Sequence, residues 1–575
     1  MPTLSTSKAP SISDRVPAAR LDRAWLQPAP APLSASREPS TLLDALLREQ
    51  GDLTAVERFA HRSARPSVPA SLRQYRDLIP LTRPAPGQQY AFEVNLDQCS
   101  GCKACVTACH SLNGLDESET WRSVGTLFGG TPAQPYQQSV TTACHHCLDP
   151  ECLNGCPVLA YEKDPITGIV HHLDDQCIGC QYCVMKCPYE VPRYSSARGI
   201  VRKCDLCSSR LAADEAPACA QACPTAAIRI TLVTPEAVRD GIALTPSLVP
   251  SAPASHHTLP TTRYLASKPF PTNTHSASQP SLTPAPAHLP LVLMLVLTQL
   301  GTGLLAGAAI LLHLRPAGLE PVANFGLLCG SLALCVGLTS SFLHLGQPLK
   351  AWRAFLGWRT SWLSREILVF GACAPIAWLA TGSAWTSAGA WTPFLATAAA
   401  LLGLGGVACS AMIYIDTPRP WWKAQLTAPK FFGSTILLGL AGTFALLALN
   451  GATTAPIAPL LLWATGLATA AVGVAKLSFE MFTLQSNATT RPWAESITLL
   501  RTVLPRVVLA RFCCGALGTL VLPAGALLGG LIPGNTLVPA ATLLALLFTL
   551  AGEGLERLLF FTAEASPKMP GGIAS

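Results

Sequence analysis

The chain has 575 residues, half of them hydrophobic and only 13% charged, with 22 cysteines and a formal net charge of +7. That length calls for more than one domain, and so many cysteines in so long a chain exclude a small disulfide-stapled scaffold. The surplus of positive charge does not indicate nucleic acid, because no basic run or aromatic-interleaved patch carries it.

Residues 1–89 are expected to form an N-terminal arm. Its first 39 residues are rich in Ala, Pro and Ser and are predicted to be disordered. From Thr41, with Asp44 three positions on and leucines at helical spacing, a short amphipathic helix is predicted, and a second from Asp52. These helices fit either packing on the neighbouring domain or docking of another subunit. No export signal is read at the start: there is no apolar core of the right length, and Arg15, Arg20 and Arg23 stand apart.

Residues 90–230 hold sixteen of the cysteines in four groups of four. They are Cys99, Cys102, Cys105 and Cys109; Cys144, Cys147, Cys152 and Cys156; Cys177, Cys180, Cys183 and Cys187; Cys204, Cys207, Cys219 and Cys223. The first and third groups have the C-x2-C-x2-C-x3-C spacing of bacterial ferredoxins, and three groups end in Cys-Pro. Sixteen thiolates at four per cubane imply four [4Fe–4S] clusters. Structural zinc on paired C-x2-C motifs is the alternative; the three-cysteine cores and the Cys-Pro ends favour iron. Because in two-cluster ferredoxins the fourth cysteine of one run serves the other cluster, four groups imply two pairs of groups, and spacing does not say which. Short alternating runs at Tyr90–Asn95, Gly168–Asp174 and Ala227–Ile230 are predicted strands of an α+β, ferredoxin-like domain. His110, His145 and His146 stand beside ligands and are expected to be hydrogen-bonding rather than ligating residues.

Residues 231–288 are expected to be a linker rich in Pro, Ser, Thr and His, with Tyr264-Leu265 as a docking point. Residues 289–565 contain eight apolar segments of bilayer length, near 290–313, 322–345, 364–383, 392–414, 429–449, 457–478, 504–530 and 538–561. An all-α, eight-helix transmembrane domain in membrane lipid is predicted, with a tail at 566–575. An even number of spans returns the chain to the side of the cysteine domain. The loops and span ends there carry Lys350, Arg353, Arg359, Arg419, Lys423, Lys430, Arg491, Arg501 and Arg506, against Arg315 alone on the far side. The positive-inside rule then places the cysteine domain in the cytoplasm, at a bacterial inner membrane.

Ionisable groups also gather within the spans: His344, Arg365, Glu366, Lys476, Glu480, Arg511, Glu553, Glu556 and Arg557. For Arg511 and Arg557, snorkelling to the interface is the plain alternative. His344 and Glu366 flank one loop and are expected to accept the two protons of a quinol. His313 and His344 lie at opposite faces, so no bis-His haem is expected.

The cysteine groups, with Cys-Ile-Gly-Cys-Gln-Tyr-Cys at 177–183 followed by Cys187-Pro188-Tyr189, resemble the iron–sulfur subunit of the dimethyl sulfoxide reductase family. The membrane half resembles the anchor subunit of the same enzymes, through Ser340–Pro348, Trp362–Glu366, Ser410–Tyr414 and Thr417–Trp421. The resemblance implies a fusion of two subunits, and a quinol site (menaquinol or ubiquinol) at His344 and Glu366. It implies a wire of clusters leading to a molybdopterin-containing catalytic partner, as in anaerobic respiration. It also favours a nested pairing. One cluster takes Cys99, Cys102, Cys105 and Cys223, and its partner Cys204, Cys207, Cys219 and Cys109. The inner pair takes Cys144, Cys147, Cys152 with Cys187, and Cys177, Cys180, Cys183 with Cys156. The expected function is quinol oxidation with electron delivery to that partner. The alternatives are the same wire run from a dehydrogenase to quinone, and a membrane scaffold with structural metals.

Overall fold

The computed structural model describes Val56 and residues 78–117, 119–277, 282–315, 318–386, 389–450, 457–532 and 536–571. The helices expected in the N-terminal arm lie outside these residues. Phe59–Ser575 form one compact unit, which holds every element named below.

The cysteine half is built from short sheets that frame loops. β1 (Gln89–Asn95) alternates aromatic and small residues, and Tyr90, Ala91, Phe92 and Val94 are all buried. Two long strands follow, β2 (Ser123–Thr131) and β3 (Gln134–Thr142), paired antiparallel from Ser123–Thr142 to Thr131–Gln134. Then come two small hairpins, β4 (Tyr161–Lys163) with β5 (Val170–His172), and β6 (Arg193–Ser195) with β7 (Ile200–Arg202). β8 (Ile228–Val233) returns antiparallel along β1. The cysteines are set into small apolar clusters, packed with Phe92, Leu206 and Ile230 in one and with Val158, Ile178 and Val201 in another.

The stretch expected as a linker is woven into this half. After the helix Pro235–Leu244, capped by the Thr234 side chain on the Ala237 amide, β9 (Arg263–Leu265) adds a parallel strand to β1. Its Tyr264 hydroxyl donates to the Thr141 carbonyl at 3.0 Å. β10 (His275–Ser276) then pairs with β2.

Among the described residues, eight helices are long and apolar enough to cross a membrane: Leu289–Leu314, Glu320–His344, Trp362–Ala384, Gly389–Ile415, Ala424–Leu449, Ala458–Gln485, Pro505–Gly529 and Leu537–Thr562. Their ends agree with the expected spans to within three residues, except that the fifth starts five residues earlier and the sixth ends seven residues later. The first and fifth spans touch through their backbones, since a Cβ on Gly303 would meet the Thr435 carbonyl at 2.5 Å. The last four spans share a buried ionic network. Lys476 and Arg511 both pair with Glu553, Arg511 also with Glu480 at 2.9 Å, and Lys430 and Arg557 with Glu556. Arg511 and Arg557 are 1% and 0% exposed. Both point inward into ion pairs, so snorkelling is not what they do. Removing one partner would leave a charge stranded in low dielectric, at a cost of about 3–5 kcal/mol.

The two halves are clamped together. Residues after the eighth span fold back, and Met569 is buried with Val94, Leu96, Leu127 and Val140 of the cysteine half. Arg419 pairs with Glu564 and, at 3.4 Å, with Glu190, which also meets Lys568 at 3.1 Å. Burial works against the Glu190 carboxylate, but Lys568 and Arg419 hold it below the usual carboxylate range.

Candidate functional site: a thiol-lined path and a buried carboxylate at its membrane end

The first C-x2-C corner of each group makes the same turn. The residue before the second cysteine is left-handed in all four groups: Gly101 (φ 74°), His146 (φ 40°), Gly179 (φ 69°) and Leu206 (φ 61°). This turn aims amides at sulfur, with Gly179 N–H donating to Cys177 Sγ and Leu206 N–H to Cys204 Sγ, both at 3.4 Å. The cysteines that end groups two and four receive further amides, from Ala160 to Cys156 at 3.2 Å and from Ala227 to Cys223 at 3.3 Å. Such donors favour the thiolate and tune any metal it holds.

The fold mixes the sequence groups. Cys99 has Cys105, Cys223 and Cys102 as charged neighbours. Cys109 has Cys219 and Cys207, and Cys204 has Cys109. Cys152 has Cys187, Cys144 and Cys147. Cys183 has Cys180, Cys177 and Cys156. These neighbours group the sulfurs into four sets, each including a cysteine from another sequence group, and the sets also adjoin one another, with Cys219 beside Cys105 and Cys144 beside Cys204.

Buried polar side chains stand between successive sets and give them a linear order. Arg122, 2% exposed, lies among Cys219, Cys105, Cys204 and Cys109, between the first and second sets. Lys203 lies among Cys144, Cys152 and Cys204, between the second and third, with Nζ 3.7 Å from Cys144 Sγ and 2.9 Å from the Cys204 carbonyl. Tyr161 lies among Cys183, Cys152 and Cys156, between the third and fourth. Burial works against both cations, Arg122 and Lys203, but the surrounding sulfurs outweigh it and hold both above their ordinary range. Four soft thiolates per set, amides directed at sulfur and buried countercations are the donor chemistry an iron–sulfur cubane requires.

The histidines beside the cysteines bind protein. His145 Nδ1 meets Thr262 Oγ1 at 2.8 Å, His146 Nδ1 accepts from the Val170 amide at 3.1 Å, and His110 Nε2 donates to the Asp116 carbonyl at 3.2 Å. Burial pushes the His145 imidazole down to about 3, so it is neutral.

The fourth set faces the membrane half. The loop between the second and third spans lies against it: Gln347 N–H donates to the Ile178 carbonyl at 3.0 Å, and Gly357 N–H to the Pro157 carbonyl at 2.8 Å. The Ser361 hydroxyl donates to the Gly155 carbonyl at 2.7 Å. His344 Nε2 is 3.3 Å from the Cys180 carbonyl. Glu366, 3% exposed, accepts a hydrogen bond from Ser410 of the fourth span. Tyr182, one residue before Cys183, lies within electrostatic reach of Glu366 and donates to the Ile413 carbonyl at 3.2 Å. His344 and Glu366 thus each reach the segment Cys180–Tyr182 from the membrane side. Behind them Tyr414, Trp422, Phe431, Phe560 and Phe561 form an aromatic wall with centroids 5.2–5.7 Å from Tyr414.

Residues 285–562 match the family model of the DMSO reductase anchor subunit, and residues 136–232 that of a 4Fe-4S dicluster domain. The chain is 34% identical over 180 residues to YnfG of Escherichia coli (strain K12), a probable anaerobic dimethyl sulfoxide reductase component, covering 30% of this chain and 86% of that protein. The chain belongs to the dimethyl sulfoxide reductase family. It joins an iron–sulfur electron-transfer subunit and an anchor subunit of that family in one polypeptide, and it is a multi-pass membrane protein. It is also 33% identical over 150 residues to the B subunit of the anaerobic dimethyl sulfoxide reductase of Haemophilus influenzae, covering 24% of this chain and 73% of that protein. The iron–sulfur subunit of the nitrate-inducible formate dehydrogenase of Escherichia coli (strain K12) is 33% identical over 171 residues, 26% of this chain and 57% of that protein.

Sequence reasoning singled out neither Arg122, Lys203 and Tyr161 nor Tyr182 and Ser410 as individual residues. The last two lay inside quoted motifs, and that was their only signal.

Proposed function

We propose that the chain oxidises membrane quinol and delivers the electrons, through four [4Fe–4S] clusters held by the nested cysteine sets, to a separate molybdopterin-containing catalytic subunit of dimethyl sulfoxide reductase type. The observation that carries this reading is the seating of the loop after the second span on the fourth thiol set, with His344 and Glu366 beside it. When bound, the clusters supply a series of one-electron relay positions.

The chain's own groups handle the protons. A carbonyl can only accept, so the contact with Cys180 fixes the proton of His344 on Nε2 and leaves the Nδ1 lone pair free to take a quinol proton. Glu366 takes the other, with the Ser410 hydroxyl holding the carboxylate in one orientation. The proton acceptors lie at the ends of the spans that meet the cysteine half, so protons leave towards the cluster side. We further place that side in the cytoplasm, at a bacterial inner membrane, on the balance of loop charge. The reverse flow, from a dehydrogenase partner to quinone, uses the same groups; the similarity to a formate dehydrogenase iron–sulfur subunit is the observation on its side.

The test uses the chain with its native partner in membranes. Glu366→Gln is expected to lower quinol-driven turnover about a hundredfold. Reduction by dithionite, about sixteen irons per chain and a spectrum free of haem bands should all be unchanged. Wild-type quinol turnover in that variant would overturn the assignment of the site.

A further inference from the structure

Between the two halves lies a cavity of about 670 Å³. Its wall is mixed: Arg419, Glu190, Glu564 and Lys568 on one part, Trp422 and Phe561 on another. His288 also lines it. This residue precedes the first span and sits in a left-handed conformation (φ 45°, ψ 50°), with its carbonyl accepting the Leu291 and Val292 amides at 2.8 and 3.1 Å. That backbone is uncommon outside glycine. It turns the imidazole inward, edge-on to the His344 ring at 5.2 Å and to the Phe561 ring at 5.8 Å. His288 therefore has one side on the quinol site and the other on a polar cavity.

We propose that this cavity is the aqueous exit for quinol protons and that His288 is the proton-transfer residue at its inner mouth. The inference rests on the quinol reading above. Each quinol gives up two electrons and two protons. The electrons leave towards the cysteine sets, and the protons leave by the cavity. For each proton taken up on one ring nitrogen, one is released from the other to cavity water, and the imidazole is unchanged after turnover. Burial, with the His344 ring alongside, pushes His288 down to about 4, so at neutral pH the ring rests neutral and holds an extra proton only in transit. The charged groups lining the cavity are the paired Arg419, Glu564, Glu190 and Lys568, together with Arg193 and Glu495. These fix the local charge while water moves the proton on.

The experiment uses the full complex in membranes. His288→Phe, which keeps the ring contact with Phe561, is expected to slow turnover with a soluble quinol analogue about tenfold or more. Turnover driven by reduced viologen, which brings no protons, should stay at the wild-type rate. Added imidazole, small enough for the cavity, should restore quinol turnover. Ala252→Phe, which narrows the cavity from its cysteine-half wall, should slow quinol turnover and spare viologen turnover. A wild-type rate in both variants, or a loss in His288→Phe that imidazole leaves untouched, overturns the proposal. Glu366→Gln separates this failure from that of the underlying reading. If it blocks quinol turnover while His288→Phe does not, the exit alone is wrong; if it too is silent, the quinol site is wrong.

Discussion

Lys203 shows what a single residue does in the cysteine half. It is only 3% exposed, and its ammonium sits among carbonyl oxygens and cysteine sulfur. A positive charge at this range favours added negative charge on the thiol-held group. Taking about 6 Å and an effective dielectric constant of about 20, the interaction is on the order of 3 kcal/mol, or on the order of 100 mV for one electron. Lys203→Gln is therefore expected to lower the midpoint potential associated with the second and third sets by that order, measured by redox titration with EPR. An unchanged potential would mean that the charge is screened or neutral. The sixteen cysteines were legible because their chemistry forces a spacing. Lys203 was not, because a lysine beside a cysteine looks in sequence like any surface cation, and only the fold of β5 and β7 around it decides otherwise.

The decisive element is the loop between the second and third spans. Three glycines from three segments meet there. A Cβ on Gly346 would stand 2.1 Å from the Gly199 carbonyl, and one on Gly179 would stand 2.3 Å from the same atom. Gly346→Ala must push the loop off the Gly199 turn, since backbone cannot yield as a flexible side chain does. Quinol-driven turnover should fall by up to about a hundredfold for a shift near 1 Å, with iron content and viologen-driven turnover kept; full quinol activity would show that the close approach is not required. The motif around His344 was readable in sequence. What it touches was not, because contact between distant segments leaves no periodic trace. The same limit explains the β2–β3 hairpin, whose Gly- and Gln-rich strands lack the β-branched alternation that marks a strand. It also explains the supposed linker, whose strands β9 and β10 are only three and two residues long.

At the scale of the whole molecule, the charge count that sets sidedness is partly engaged elsewhere. Lys350 and Arg353 both donate to the Asp175 carbonyl, at 3.0 and 3.3 Å, and Arg419 binds Glu190 and Glu564. These three cations grip the cysteine half and Lys430 is paired with Glu556 inside the bundle, so five of the nine remain to orient the spans, still against Arg315 alone. Trypsin added to sealed inverted vesicles is therefore expected to cut the cysteine half at its exposed Arg239, Arg263 or Lys268. Cleavage confined to right-side-out spheroplasts would place that half outside. The eight spans were legible because lipid demands long apolar helices whatever their packing. The ionic network inside them was legible only as a set of misplaced charges, since pairing depends on helix rotation.

The return of Met569 into the packing around Val94, Leu127 and Val140 also sets an order of events during synthesis. Domains tend to fold from the N-terminus as they emerge, yet this core lacks a wall until more than 400 further residues have been made and the eighth span has been threaded. That face of the cysteine half, with Cys147 and Cys187 at its edge, is therefore completed only after the eighth span is in place.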